Sequence, residues 1–137
     1  MEWTYGQYKV STDKSLLSLD QIGDLLSQSY WAHTRPREII ARSIENSLCY
    51  GVYYNEKQIG FGRIITDYAT PYYICDVIID ESFRSRGLGK KLIQCMLESE
   101  NFINETGFLA TRDAHGLYLK SGFKSADNIF MARRPAE

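Results

Sequence analysis

The stretch that most constrains this chain runs from Val77 to Lys90, where an apolar, strand-like run passes through a short turn into a helix by way of Arg84, Arg86 and Gly87-Leu88-Gly89. The first turn of a helix has N–H groups without intrahelical partners and carries the positive end of the macrodipole. Glycines at 87 and 89 omit side chains that would keep an anion from those groups, and Arg84, Arg86 and Lys90 add positive charge nearby. The segment therefore reads as a pyrophosphate cradle. Gly-x-Gly alone also fits an ordinary strand-to-helix turn with packing glycines. It is not a Walker A loop, because the GxxxxGK[ST] spacing is missing, and it lacks the third glycine of the dinucleotide fingerprint.

The rest of the composition narrows the class. A length of 137 residues predicts a single domain spanning residues 1–137. Hydrophobic residues at 44% against 24% charged ones suffice for a full core. A net charge of −1 argues against a nucleic-acid partner. No apolar run approaches the roughly 18 residues of a membrane span. Met1-Glu2-Trp3-Thr4-Tyr5 lacks the features of a signal peptide, so a cytoplasmic location is expected. Cys49, Cys75 and Cys95 are widely spaced and read as reduced thiols, and with only His33 and His115 no metal is expected.

Periodicity predicts a strand near residues 8–11, then a helix opened by the Ser18/Gln21 capping box with Leu19, Ile22, Leu25 and Leu26 on one face. Pro36 suits the first turn of a second helix with Ile40, Ile44 and Leu48 on its apolar side. A hairpin follows, with strands over 49–54 and 58–66 joined by Asn55-Glu56-Lys57. The almost continuous apolar run at 72–79 predicts a strand buried on both faces near the sheet centre. Leu88, Leu92, Ile93, Met96 and Leu97 mark a helix. A strand over 106–111, a short helix over 114–120 stopped by Gly122, and a last strand over 129–133 complete the order β-α-α-β-β-β-α-β-α-β. The expected fold is α/β of the α+β type, with a mixed, mostly antiparallel sheet flanked by helices.

Arg84, Gly87 and Gly89 satisfy the pattern [Gln/Arg]-x-x-Gly-x-[Gly/Ala], and the whole segment resembles motif A of the GNAT (GCN5-related N-acetyltransferase) superfamily. Downstream, the segment from Ala114 through Tyr118 to Gly122-Phe123 resembles that family's motif B, so the likeness covers roughly residues 8–134. The resemblance implies an acetyl-CoA-dependent N-acetyltransferase with splayed central strands. It implies that the main chain of Val77, Ile78 and Ile79 holds pantetheine, and that backbone amides over Ser85, Arg86, Gly87, Leu88, Gly89 and Lys90 hold the pyrophosphate. Tyr118 matches the tyrosine that often acts as general acid toward the departing thiolate, a role a phenol suits because it stays protonated at neutral pH. Tyr118 also reads as an aromatic anchor of its helix. Asp76 is a candidate general base, with a hydrogen-bonded structural carboxylate as the other reading and Asp67 as a weaker base. Asp113 has N-cap character for the helix at 114–120. His115 reads as a capping or surface residue, and nothing marks Cys75 as an activated nucleophile.

The resemblance places the acceptor near Tyr30, Trp31, His33, Arg35 and the aromatic turn 68–73, where the aromatics line a pocket or pack the helix pair. Asp67 and Asp76 make an ammonium-bearing, small-molecule acceptor the expected partner. Relatives are often homodimers, though no stretch announces an interface. A non-catalytic acyl-CoA-binding regulatory module is the alternative function, and a small α/β interaction domain the third.

Overall fold

The computed structural model describes residues 1–135. Strand β1 (Glu2–Tyr5) turns back through Gly6 and Gln7 into β2 (Tyr8–Ser11), pairing Tyr5 with Tyr8. Gly6 takes the positive φ of +60° that so tight a hairpin needs. Helices α1 (Leu19–Ser27) and α2 (Arg37–Glu45) follow, then β3 (Leu48–Tyr54), β4 (Lys57–Ile65) and β5 (Tyr72–Ile79). Helix α3 (Leu88–Leu97), β6 (Gly107–Phe108) and α4 (His115–Leu119) complete the described elements, apart from two short 3-10 turns. The strands form one six-stranded sheet in sequence order, antiparallel except for the parallel β5–β6 pair.

Helices cover both faces of the sheet, each over its own apolar cluster. Leu88, Leu92 and Met96 of α3 pack on Ile64, Ile74 and Ile79 on one side. Ile22, Leu25 and Leu26 of α1, with Ile40 of α2, pack on Cys49, Phe61 and Ile78 on the other. Helix α1 starts as its sequence predicts, since the Ser18 side chain accepts a hydrogen bond from the Gln21 amide.

Strand β5 departs from the simple reading. It is fifth of the six strands, beside the two-residue β6, and is therefore not at the sheet centre. Its register against β4 slips between Phe61↔Ile78 and Arg63↔Cys75, which puts one extra residue in β5, and Asp76 adopts φ +57° there. Strict alternation would send Asp76 to the α3 face with Ile74. The bulge turns it to the α1–α2 face instead, where it bonds residues of the α1–α2 connection and β4.

The C-terminal third corrects three expectations. The strand over 106–111 contracts to Gly107–Phe108, pinned where the glycine passes beneath the Tyr72 ring, with which an added Cβ would collide. The strand expected over 129–133 is not formed, because two-residue β6 offers almost no ladder to extend. Ile129 and Met131 are exposed there, and Phe130 rests edge-to-face on Phe108 at 4.9 Å. Helix α4 has Ala114 rather than Asp113 at its N-cap, and the Ala114 amide donates to Thr111 Oγ1.

Candidate active site

A cavity of about 1060 Å³ follows the side of β5 that β6 leaves open. Tyr72 and Tyr73 pair with β6, and from Ile74 to Ile79 that side of β5 has no strand neighbour among the described residues. The segment 110–114 diverges from it and forms the facing wall. The expected splay of two neighbouring strands is thus a direct result of how short β6 is. Main-chain groups along Val77, Ile78 and Ile79 face a space that an extended ligand can pair with.

One end of the cavity is the turn from β5 into α3. Ser85 and Gly87 both take left-handed backbone conformations, at φ +65° and +77°, on either side of Arg86. Gly87 is the N-cap of α3 and supplies no side-chain cap, so first-turn amides of the helix are left for an outside acceptor. Such a run of inward amides at a helix start is an anion-binding concavity. The glycine is required by its φ and not by crowding, since an added Cβ at 87 would meet nothing within 4 Å. Arg84, Ser85, Gly87, Leu88 and Gly89 line the cavity, but Arg86 and Lys90 do not. Arg86 donates to the Tyr8 hydroxyl at 3.0 Å and lies over the Phe83 ring at 5.0 Å. The Arg84 Nε donates to the Ile79 carbonyl at 3.0 Å, which holds the turn against the strand end.

The other end is built from charged and aromatic side chains around Asp76, which is 5% exposed. Its Oδ2 accepts from Arg35 Nη1 and from Arg63 Nε, each at 2.7 Å, and its Oδ1 accepts from Trp31 Nε1 at 3.0 Å. Burial alone would raise its pKa, but the hydrogen bonds from Arg35 and Arg63 outweigh that and hold it below the usual carboxylate range. A carboxylate so engaged is a poor proton acceptor at neutral pH. Burial likewise opposes the Arg63 charge, and the Asp76 bond more than restores it. Arg63 is the one residue of this cluster that the sequence reading passed over. The signal was a lone charge inside the apolar stretch 59–65 of β4, where a largely buried guanidinium demands a partner. Asp67 lies outside the cavity lining. Its carboxylate caps its own turn, accepting from the Ala69 and Thr70 amides and the Thr70 hydroxyl, the Thr70 bonds chief among those that lower its pKa to about 2. Tyr30 and Trp31 line the cavity, whereas His33 lines a smaller hollow that also borders Arg35.

Between the two ends stands Tyr118 of α4, half-buried, with its ring edge-to-face on Phe123 at 5.8 Å. Its side chain lines the cavity, and burial pushes the phenol up to about 12, so it remains protonated throughout the neutral range. Cys75 also lines the cavity, and burial raises its thiol to about 11. His115 is exposed on α4. Among the described residues no group of His, Cys, Asp and Glu side chains is placed to hold a metal ion, and no helix is long and apolar enough to cross a membrane.

Residues 45–125 match the acetyltransferase (GNAT) domain family, a span that runs from β3 to α4 and holds Arg63, Asp76, the turn Arg84–Gly89 and Tyr118, while Trp31 and Arg35 precede it. A candidate acetyltransferase from Gibberella zeae is 31% identical over 117 residues, covering 71% of this chain and 66% of that protein, so the chain spans just under two thirds of its relative's length. The crystal structure of a candidate GNAT-family acetyltransferase from Xanthomonas campestris pv. campestris superposes with a TM-score of 0.89 at 36% identity, covering 96% of both chains. Glucosamine-6-phosphate N-acetyltransferase from Arabidopsis thaliana shares the fold at a TM-score of 0.67, with 18% identity over 93% of this chain and 97% of its own. With its splayed strands, its amide-lined turn and these relatives, the chain belongs to the GNAT acetyltransferase family.

Proposed function

We propose that this protein is an acetyl-CoA-dependent N-acetyltransferase that acetylates the amine of a small molecule by direct attack within a ternary complex. The observation that carries the reading is the meeting, in one cavity, of the open side of β5, the amide-lined turn Arg84–Gly89 and the phenol of Tyr118. The residues fit the cosubstrate's chemistry: a strand edge for an amide-bearing arm, and unpartnered helix-start amides for phosphate oxygens. Val77, Ile78 and Ile79 would hold the arm, and Ser85, Gly87, Leu88 and Gly89 the pyrophosphate. Arg86 and Lys90 would contribute only main chain and field, since their side chains lie outside the cavity lining.

Bound acetyl-CoA supplies a thioester carbonyl to which the acceptor nitrogen bonds as the C–S bond breaks and the electron pair leaves on sulfur. Tyr118 holds a proton that it can give to that sulfur and recover from solvent, and its raised pKa keeps it loaded. Asp76 serves here as the anchor of Arg35 and Arg63, and the proton released by the amine leaves through water. Cys75 stays a thiol at neutral pH, which favours direct transfer over an acyl-cysteine. A net charge of −1 accords with a small-molecule partner and not with nucleic acid.

The test is release of CoA thiol from acetyl-CoA over an amine panel, with Tyr118→Phe in parallel. Turnover that depends on the amine and falls with the variant supports the reading. Tight acetyl-CoA binding with no amine turned over would instead indicate a non-catalytic acyl-CoA-binding module.

A further inference from the structure

Four arginines line the cavity outside the phosphate turn, Arg35, Arg63, Arg112 and Arg134, against the carboxylates of Asp76 and Asp113. Asp76 cannot neutralise its neighbours. One carboxylate is shared by two guanidiniums, each giving it a single N–H, and its other oxygen is taken by Trp31. Arg35 and Arg63 make no second ion pair or side-chain hydrogen bond among the described residues. Their side chains are only 23% and 12% exposed, and their remaining donors keep accessible surface on a cavity both residues line, where a bound acceptor can replace water. Arg112 adds a third guanidinium, stacked 3.7 Å from the Tyr30 ring centroid, while its own amide donates to the Tyr30 hydroxyl. Face-on stacking fixes that guanidinium plane and leaves its N–H edge free.

We infer that the acceptor end of the cavity recognises a carboxylate, so that the substrate is an amine that also carries an acid group, held by Arg63, Arg35 and Arg112. The substrate remains an ammonium-bearing small molecule, but neither Asp67 nor Asp76 is left to pair with its ammonium. Asp67 is spent on its own turn and Asp76 on its two arginines. A bound carboxylate would accept the free N–H groups in the bidentate manner that guanidinium favours and would neutralise the excess charge of the cluster. Tyr30, Trp31 and Tyr73 surround that site with apolar surface, which suits an amino acid with a large apolar side chain. The amine half of the inference rests on the acetyl-transfer reading. The carboxylate half does not.

The experiment uses matched pairs differing only in that acid. N-acetylphenylalanine and N-acetylphenylalaninamide, which resemble products, are titrated into the protein with and without CoA. Phenylalanine and phenylalaninamide are compared in thiol release, per fraction of free amine. The inference predicts that each acid surpasses its amide at least tenfold, in affinity and in kcat/KM. Arg112→Met, which leaves the Asp76 cluster intact, should raise the KM for phenylalanine at least fivefold and narrow the gap. Arg63→Lys should keep part of the preference, and Arg63→Met, if folded, should lose it. Acid and amide within twofold of each other, or a preference unchanged in Arg112→Met, would overturn the inference while leaving acetyl transfer standing. A carboxylate preference without any CoA binding would do the reverse.

Discussion

At the Ile79–Gly89 end of the cavity the wall is main chain, with two left-handed residues and an uncapped helix start, whereas the Asp76 end is made of side chains carrying full charges. Backbone amides bind any phosphate that reaches them and need only a particular φ at one or two positions. The Asp76 cluster depends on which side chains happen to come from β4, β5 and the α1–α2 connection, and its chemistry changes with any of them. A cosubstrate used by every member of a family can be held by the first kind of wall. Selection among acceptors requires the second.

The contrast breaks most sharply at Asp76. Asp76→Ala removes the shared partner of two arginines and should cost about 3–5 kcal/mol in stability, read by urea melts. Tyr118→Phe should leave melting almost unchanged and lower kcat on the order of 100-fold with little effect on KM for acetyl-CoA. Because the Tyr118 phenol lies near 12, kcat of the native protein should show no basic limb from this group up to about pH 10. Gly87→Val forces a β-branched residue to φ +77°, a strain of about 1–3 kcal/mol that should appear mainly as a roughly 5- to 150-fold loss of acetyl-CoA affinity. An equal loss of affinity in Asp76→Ala and Gly87→Val would erase the distinction between the two ends. Acid should weaken the Asp76 end selectively. The Asp76 pKa is depressed in the folded state, so its stabilisation is full above the ordinary carboxylate pKa of about 4 and disappears as pH falls through the lower folded value. A pH series of thermal melts checks this by a decline that starts below about pH 4 and is shallower in Asp76→Asn, where the contribution of Asp67 remains. The smallest effect is expected far from both ends. Gly23→Ala in α1, where an added Cβ meets nothing within 4 Å, should stabilise by about 0.5–1 kcal/mol and leave acetyl-CoA affinity unchanged.

The two ends also differed in how far the sequence disclosed them. Gly87 and Gly89 could be read because a local pattern of strand, turn and helix start carries its own physics, and α1 could be read from its capping box. The Asp76 cluster joins residues 31, 35, 63 and 76, and no local periodicity relates those positions. The decisive step is a bulge that moves Asp76 to the other face of the sheet, an event alternation cannot anticipate. Arg63 did leave a trace as a charge in an apolar strand, but its partner could come only from the fold. The strand expected over 129–133 failed for a related reason, since strand propensity needs a neighbour and β6 is too short to be one.

The most direct test of the two-ended cavity is a titration of the 15N-labelled protein with acetyl-CoA, followed by amide chemical shifts. Saturable shifts are expected at Ser85, Gly87, Leu88 and Gly89 and along Val77–Ile79, while the Arg63 and Trp31 side-chain N–H signals move little until an acceptor is added. No saturable shift at millimolar acetyl-CoA, or shifts confined to the Asp76 cluster, would contradict it.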